Sequence, residues 1–144
     1  MEFLFSVDAP QQQFVSIELK ISVNSTSMEL MLPTWRPGRY QVADFAKNIK
    51  GFKVFDNTGK PCQFKKTNKS TWEIKTNKAT EVIVHYKYYA AEMNAGSTFL
   101  DESQLYVNPV NCCMYVPEFM DQTHSIRFEV PKEWEYAGPL ELKN

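Results

Sequence analysis

Apolar and polar residues alternate with a period of two along most of this chain. That spacing puts one face of a strand into a core and the other into water. Val15, Ile17, Leu19 and Ile21 alternate with Ser16, Glu18 and Lys20, predicting a half-buried strand. Met28, Leu30 and Leu32 form a second, shorter set, and the polar residues 24–27 between the two predict a hairpin. Phe52 and Val54 share a face ahead of a turn at residues 56–59, Phe64 starts a short strand, and Trp72 and Ile74 share a face on the next. Residues 81–91 carry the strongest pattern, with Val82, Val84, Tyr86 and Tyr88 on one side and Ile83, His85, Lys87 and Tyr89 on the other. Cys113 and Tyr115 predict a further strand, as do Ile126, Phe128 and Val130, and residues 136–141 read as the start of one more. Helical spacing is limited to one short turn within residues 42–49. Turn signals recur about every 8–12 residues, the rhythm of a sandwich or barrel. The expected fold is all-β: a two-sheet antiparallel β-sandwich with at most one short helical turn, spanning residues 1–144 as a single domain.

Composition supports that reading. The 144 residues include 10 Phe, 7 Tyr and 3 Trp but only 5 Gly, and aromatics favour the pleated, half-buried surface of a sheet. No apolar run reaches the roughly 18 residues of a membrane span. The first residues, Met1-Glu2-Phe3-Leu4-Phe5, lack the basic region and apolar length of a secretory leader. Three cysteines, Cys62, Cys112 and Cys113, show neither a disulfide framework nor paired metal-ligand spacing and read as packed, reduced thiols. Localisation stays open: reduced thiols and a missing leader favour the cytoplasm, and a secreted chain with its leader removed has the same sequence.

Charge is unevenly spread. Net charge is −1, yet residues 36–87 hold 12 basic and 4 acidic residues, while the remainder holds 4 basic and 13 acidic. Strands from distant segments interleave in a sandwich, and lysines blunt exposed strand edges. The asymmetry therefore reads as solvated surface, and no nucleic-acid partner is expected.

Candidate chemistry is sparse. A helical zinc-hydrolase site needs two His four residues apart with an intervening Glu. Here the two histidines, His85 and His124, are 39 positions apart and no such motif occurs. Cys112 or Cys113 could meet a His in space, but no nucleophile elbow or glycine-rich oxyanion loop marks either thiol. Glu92, Asp101 and Glu102 gather around a bend, a pattern that turn hydrogen bonds explain as well as catalysis does. No phosphate-binding loop is present.

Two segments remain. Leu32-Pro33-Thr34-Trp35-Arg36-Pro37-Gly38-Arg39-Tyr40 is stiffened by two prolines, and Gly38 after Pro37 suits a turn that needs positive φ. It hangs Trp35, Arg36, Arg39 and Tyr40 on a rigid frame, side chains that anchor interfaces. The second segment runs through Tyr88, Tyr89, Glu92, Leu100, Asp101, Tyr106 and Asn108. Both read either as a capped sandwich end or as a docking surface for another domain. Trp35, Tyr40 and Tyr89 could also serve a free-standing module as stacking platforms for carbohydrate or peptide.

These same residues resemble a known family. The string Leu32-Pro33-x-Trp35-x-Pro37-Gly38-x-Tyr40, followed by Phe45-Ala46-Lys47-Asn48-Ile49, is similar to the N-terminal domain of the glycyl aminopeptidase family of zinc metallopeptidases. Tyr88-Tyr89-Ala90, Leu100-Asp101, Tyr106-Val107-Asn108 and the closing Val130-Pro131-x-x-Trp134 recur in the same order, so the resemblance covers roughly residues 3 to 141. It implies a β-sandwich followed by a thermolysin-like domain with H-E-x-x-H and a downstream Glu, then commonly a PDZ domain. Zinc belongs to that absent domain, and no cofactor or catalytic residue maps onto this chain. The implied partner is the catalytic domain of the same polypeptide, with peptide substrate met only indirectly. The candidate interface or substrate-cleft residues are then Trp35, Arg36, Pro37, Gly38, Arg39, Tyr40, Tyr89, Glu92, Leu100, Asp101 and Asn108. Arg39, residues 41–44 and residues 94–98 depart from the family pattern, which bears on substrate contacts and leaves the fold unaffected.

Overall fold

The computed structural model describes residues 1–143. Ten strands form: β1 (Glu2–Ser6), β2 (Phe14–Ser22), β3 (Ser27–Met31), β4 (Ile49–Asp56), β5 (Phe64–Asn68), β6 (Thr71–Lys75), β7 (Glu81–Tyr89), β8 (Phe99–Leu100), β9 (Leu105–Tyr106) and β10 (Ser125–Glu129). A five-stranded sheet runs in the order β10-β1-β2-β7-β4, a three-stranded sheet in the order β3-β6-β5, and β8 pairs with β9. Val15, Ile17, Leu19 and Ile21 lie opposite Tyr88, Tyr86, Val84 and Val82 across the β2–β7 ladder. This set faces Leu30, Trp72 and Ile74 of the smaller sheet, and all are buried. The period-two pattern thus does what it predicts: each strand gives alternate side chains to one core between two layers.

Five local features differ from the sequence-based expectation. Residues 24–27 do not close a hairpin: β2 pairs with β1 and β7, and β3 pairs with β6 in the other sheet. The chain crosses between layers at that point, held by Thr76, whose N–H donates to the Thr26 carbonyl at 3.0 Å and whose hydroxyl donates to the Ser25 carbonyl at 2.5 Å. The sheet is also not wholly antiparallel, since β10 returns from far along the chain and lies parallel to β1. Cys113 and Tyr115 contribute a single bridge, Met31 to Tyr115, after the short helix α1 (Pro109–Cys112), which begins with proline after an Asn108 cap. Pro109 suits a first helical turn, where its missing N–H costs nothing. Residues 136–141 form no strand, with a bend at 138–140. The helical turn expected in residues 42–49 appears at Phe45–Asn48, and α1 and two further single turns, Pro10–Gln12 and Pro117–Phe119, join it.

A bulge in β4 shapes the open side of the sandwich. Gly51 (φ 63) sits where the register slips between Lys50 and Lys53. The extra residue bends the edge strand. Phe52 then stacks on Trp72 at 5.1 Å between centroids and meets Phe64 edge-on at 4.8 Å.

The turn after β4 is organised by Asp56. Its Oδ1 accepts from the Thr58 hydroxyl (2.6 Å), the Thr58 N–H (2.9 Å) and the Lys60 N–H (3.0 Å). These donors, the Thr58 hydroxyl first, hold its carboxyl down to about 2. A depressed carboxylate stabilises the fold above its unfolded value, 3.8, and that contribution disappears as pH falls through 2. Acid titration of the thermal midpoint should therefore show a component between about pH 4 and 2 that Asp56→Asn removes. An unchanged acid limb in that variant would contradict the assignment.

Candidate docking surface

Residues 34–43 form a compact lobe at one end of the sandwich. Its ends are tied by the Ala43 N–H donating to the Thr34 carbonyl at 2.6 Å. At the tip, the Arg39 N–H donates to the Arg36 carbonyl (3.3 Å) across Pro37 and Gly38, and Gly38 takes φ 86. A residue with a Cβ disfavours that conformation, so the Pro-Gly pair builds the turn. The Trp35 indole N–H donates to the Arg39 carbonyl and locks the ring to the lobe. Alongside exposed Thr34, Arg39 and Gln41, the lobe presents large apolar side chains: Trp35 is 52% exposed, Val42 82% and Tyr40 fully.

The second segment lies beside it. Tyr89, at the end of β7, packs its ring on Phe14 at 5.0 Å and remains 42% exposed. Beyond it, the excursion through Glu92 and Asn94 turns back at Gly96. Asn94 makes that turn: its Oδ1 accepts from the Gly96 N–H (2.9 Å) and the Ser97 hydroxyl (3.0 Å), and its Nδ2 donates to Glu92 (2.8 Å). A shallow cavity of about 240 Å³ lies between lobe and excursion, lined by Arg39, Asp44, Lys47, Tyr89, Glu92 and Ser97 among others. On its floor, Tyr88 is pushed up to about 12 by burial, while Asn48 donates to its hydroxyl at 3.2 Å. A second cavity of about 420 Å³ opens on the lobe's other flank, beside Phe45 and Lys69.

The sequence-predicted residues divide into three groups. Trp35, Pro37, Gly38, Arg39, Tyr40, Tyr89 and Glu92 lie on one rim, with Arg36 tucked against it. Asn108 and Asp101 serve turns. Asn108 caps α1 and its Nδ2 donates to the Gly96 carbonyl at 3.0 Å; Asp101 accepts from Ser103 and Gln104, which holds its carboxyl below the usual range. Leu100 is a correction: it is fully buried opposite Leu105, because its strand folds back under the rim, so its side chain belongs to the core.

A polar network escapes the sequence reading altogether. Asn111, fully buried, donates to the Gly96 carbonyl at 3.0 Å and accepts from the Thr98 hydroxyl at 3.1 Å. Thr98 in turn accepts the Asn108 N–H at 3.0 Å. Buried amides need such partners, but nothing in the local sequence distinguishes Asn111 from a loop asparagine.

The arrangement offers no catalytic constellation. Among the described residues no three His, Cys, Asp or Glu side chains gather where a metal could sit. Cys113 and Cys62 are not activated thiols. Cys113 is pushed well above the ordinary range by its contact with Cys112 and by burial, and Cys62 is raised mainly by burial. A reactive thiol requires the opposite shift. His85 lies on the outer face of the larger sheet, 3.7 Å from Glu18.

Comparison with known proteins places the chain in a family. The Peptidase M61 N-terminal domain model matches residues 3–144. The chain belongs to this family of peptidase N-terminal domains. A crystal structure of an aminopeptidase N family protein from Idiomarina loihiensis is similar at 27% identity and a TM-score of 0.84, over 91% of this chain. The chain spans 22% of the length of that protein. No curated protein matches the chain. No helix among the described residues is long and apolar enough to cross a membrane.

Proposed function

We propose that this chain is the non-catalytic N-terminal sandwich of a zinc aminopeptidase, docked against the thermolysin-like catalytic domain of the same polypeptide and walling part of its substrate cleft. The observation that carries this reading is where the exposed large apolar side chains fall. Of the eleven exposed large apolar side chains among the described residues, six (Trp35, Tyr40, Val42, Tyr89, Met93 and Tyr106) belong to the lobe and the neighbouring segment, while Phe64, Met120, Tyr136, Leu140 and Leu142 lie elsewhere. Such patches on a water-exposed surface mark interaction sites. Family membership supports this choice of occupant, because a peptidase N-terminal domain has its own catalytic domain as its neighbour in the chain. Zinc and its ligands belong to that second domain, and this chain supplies shape and contact area.

The test is turnover. With added zinc, this chain alone should hydrolyse no small aminoacyl substrate, whereas the full-length polypeptide should. Zinc-dependent turnover by the purified chain would overturn the proposal. A free-standing carbohydrate- or peptide-binding module, the alternative reading, would instead show saturable binding to an oligosaccharide or peptide panel by this chain alone.

A further inference from the structure

The lobe holds one cation in an unusual way. The Arg36 guanidinium lies across the backbone of Gly96, so close that a Cβ built there would overlap Nη1 and Cζ. Only a glycine leaves that space. The shelf beneath it is rigid on both sides. The Gly96 N–H is held by Asn94, and its carbonyl accepts from both Asn108 and the buried Asn111. Arg36 Nε is buried and has no hydrogen-bond partner. No carboxylate on the described residues reaches ion-pair distance of the guanidinium; the ion pairs formed there are Lys65–Glu73 and His85–Glu18.

Nε is closed off by the chain itself, but Arg36 as a whole is only half-buried, so its charge has no counter-ion among the described residues and is open to one from outside. The planar fork of arginine matches a carboxylate in two parallel bonds. We infer that Arg36 is the electrostatic anchor of the docking surface and receives an Asp or Glu side chain from the catalytic domain. This rests on the docking reading above and adds the chemistry of its partner. The buried Asn111–Thr98–Asn108 network acquires a purpose: it fixes the shelf that aims the guanidinium. Arg39, Asp44, Lys47 and Glu92, the other charges beside the lobe, line the adjacent cavity, where water screens them.

The experiment is amide hydrogen exchange of residues 34–43, measured in the full-length polypeptide and in this chain alone. In the full-length protein, Arg36→Gln should speed exchange of the lobe by about thirtyfold or more, the lower end of the loss expected for one desolvated charge pair. Arg36→Lys, which keeps charge without the fork, should fall between. Gly96→Ala should reproduce Arg36→Gln by displacing the guanidinium. In this chain alone, Arg36→Gln should leave lobe exchange unchanged. Equal acceleration in both contexts would overturn the inference, because Arg36 would then only brace its own loop. No acceleration by Arg36→Gln, where Val42→Asp does accelerate exchange, would remove the anchor and leave docking intact. If the lobe exchanges alike in both wild-type contexts, docking itself fails.

Discussion

Truncating Tyr86 to alanine is expected to destabilise the fold by about 3–5 kcal/mol, the range for deleting a buried aromatic ring. Tyr86 lies mid-β7, 2% exposed, opposite Ile17 at the centre of the larger sheet. It does two jobs. Its ring fills the space between layers, and its hydroxyl donates to the Cys112 carbonyl at 2.5 Å while accepting the Met114 N–H at 3.4 Å. The second job ties the segment after α1 to the sheet, where no strand ladder does so. Tyr86→Phe separates the two. It keeps the ring but strands a buried carbonyl and a buried N–H, which costs about 1–3 kcal/mol. Urea unfolding of both variants measures the difference, as a shift of midpoint at constant slope. Domains of this size hold about 5–15 kcal/mol in total, so the alanine variant should be marginal at physiological temperature. Equal losses in the two variants would mean that the ring contributes little and the hydroxyl nearly everything.

Replacing Val42 by aspartate should undock the domain while leaving it folded. Val42 is 82% exposed, so the fold of this chain loses almost nothing when the residue changes. In the proposed docked arrangement the same position is apolar contact, and an unpaired carboxylate placed there must be desolvated. Interface anchors commonly carry about 2–4 kcal/mol, and a buried unpaired charge lies at or above that range. Calorimetry of full-length Val42→Asp should resolve two transitions where the wild type shows one. The transition of this chain alone should move by less than about 2 °C, since surface substitutions usually stay within about 0.5 kcal/mol.

The strands that build the core were legible from period-two alternation because one face of each is buried. Val15 to Ile21 and Val82 to Tyr88 are the clearest instances, and they turn out to face one another. Pairing partners were harder to read. Alternation says which side of β2 is inward, but it carries no information on whether residues 24–27 reverse the chain within a sheet or carry it to the next. That choice is made by Thr76, which comes from a loop more than fifty residues away in sequence. The parallel partnership of β1 and β10 is equally non-local. The rim was legible in part. Two prolines and a Pro-Gly turn mark the lobe as stiff, and its aromatics mark it as sticky. Leu100 was misplaced because its burial depends on β8 folding beneath the excursion. Gly96 was invisible as a functional glycine, since its φ is unremarkable and its role appears only when Arg36 lies across it.

The central claim is that the rim of Trp35, Tyr40, Val42 and Tyr89 is covered by the rest of the polypeptide. Hydroxyl-radical labelling reads this directly, because Trp and Tyr rings react according to their exposure. In this chain alone Trp35, Tyr40 and Tyr89 should all label readily, Tyr40 fastest. In the full-length polypeptide the same rings should be protected severalfold, and Val42→Asp should restore their reactivity. Equal labelling of the three rings in the isolated chain and in the full-length protein would contradict the account.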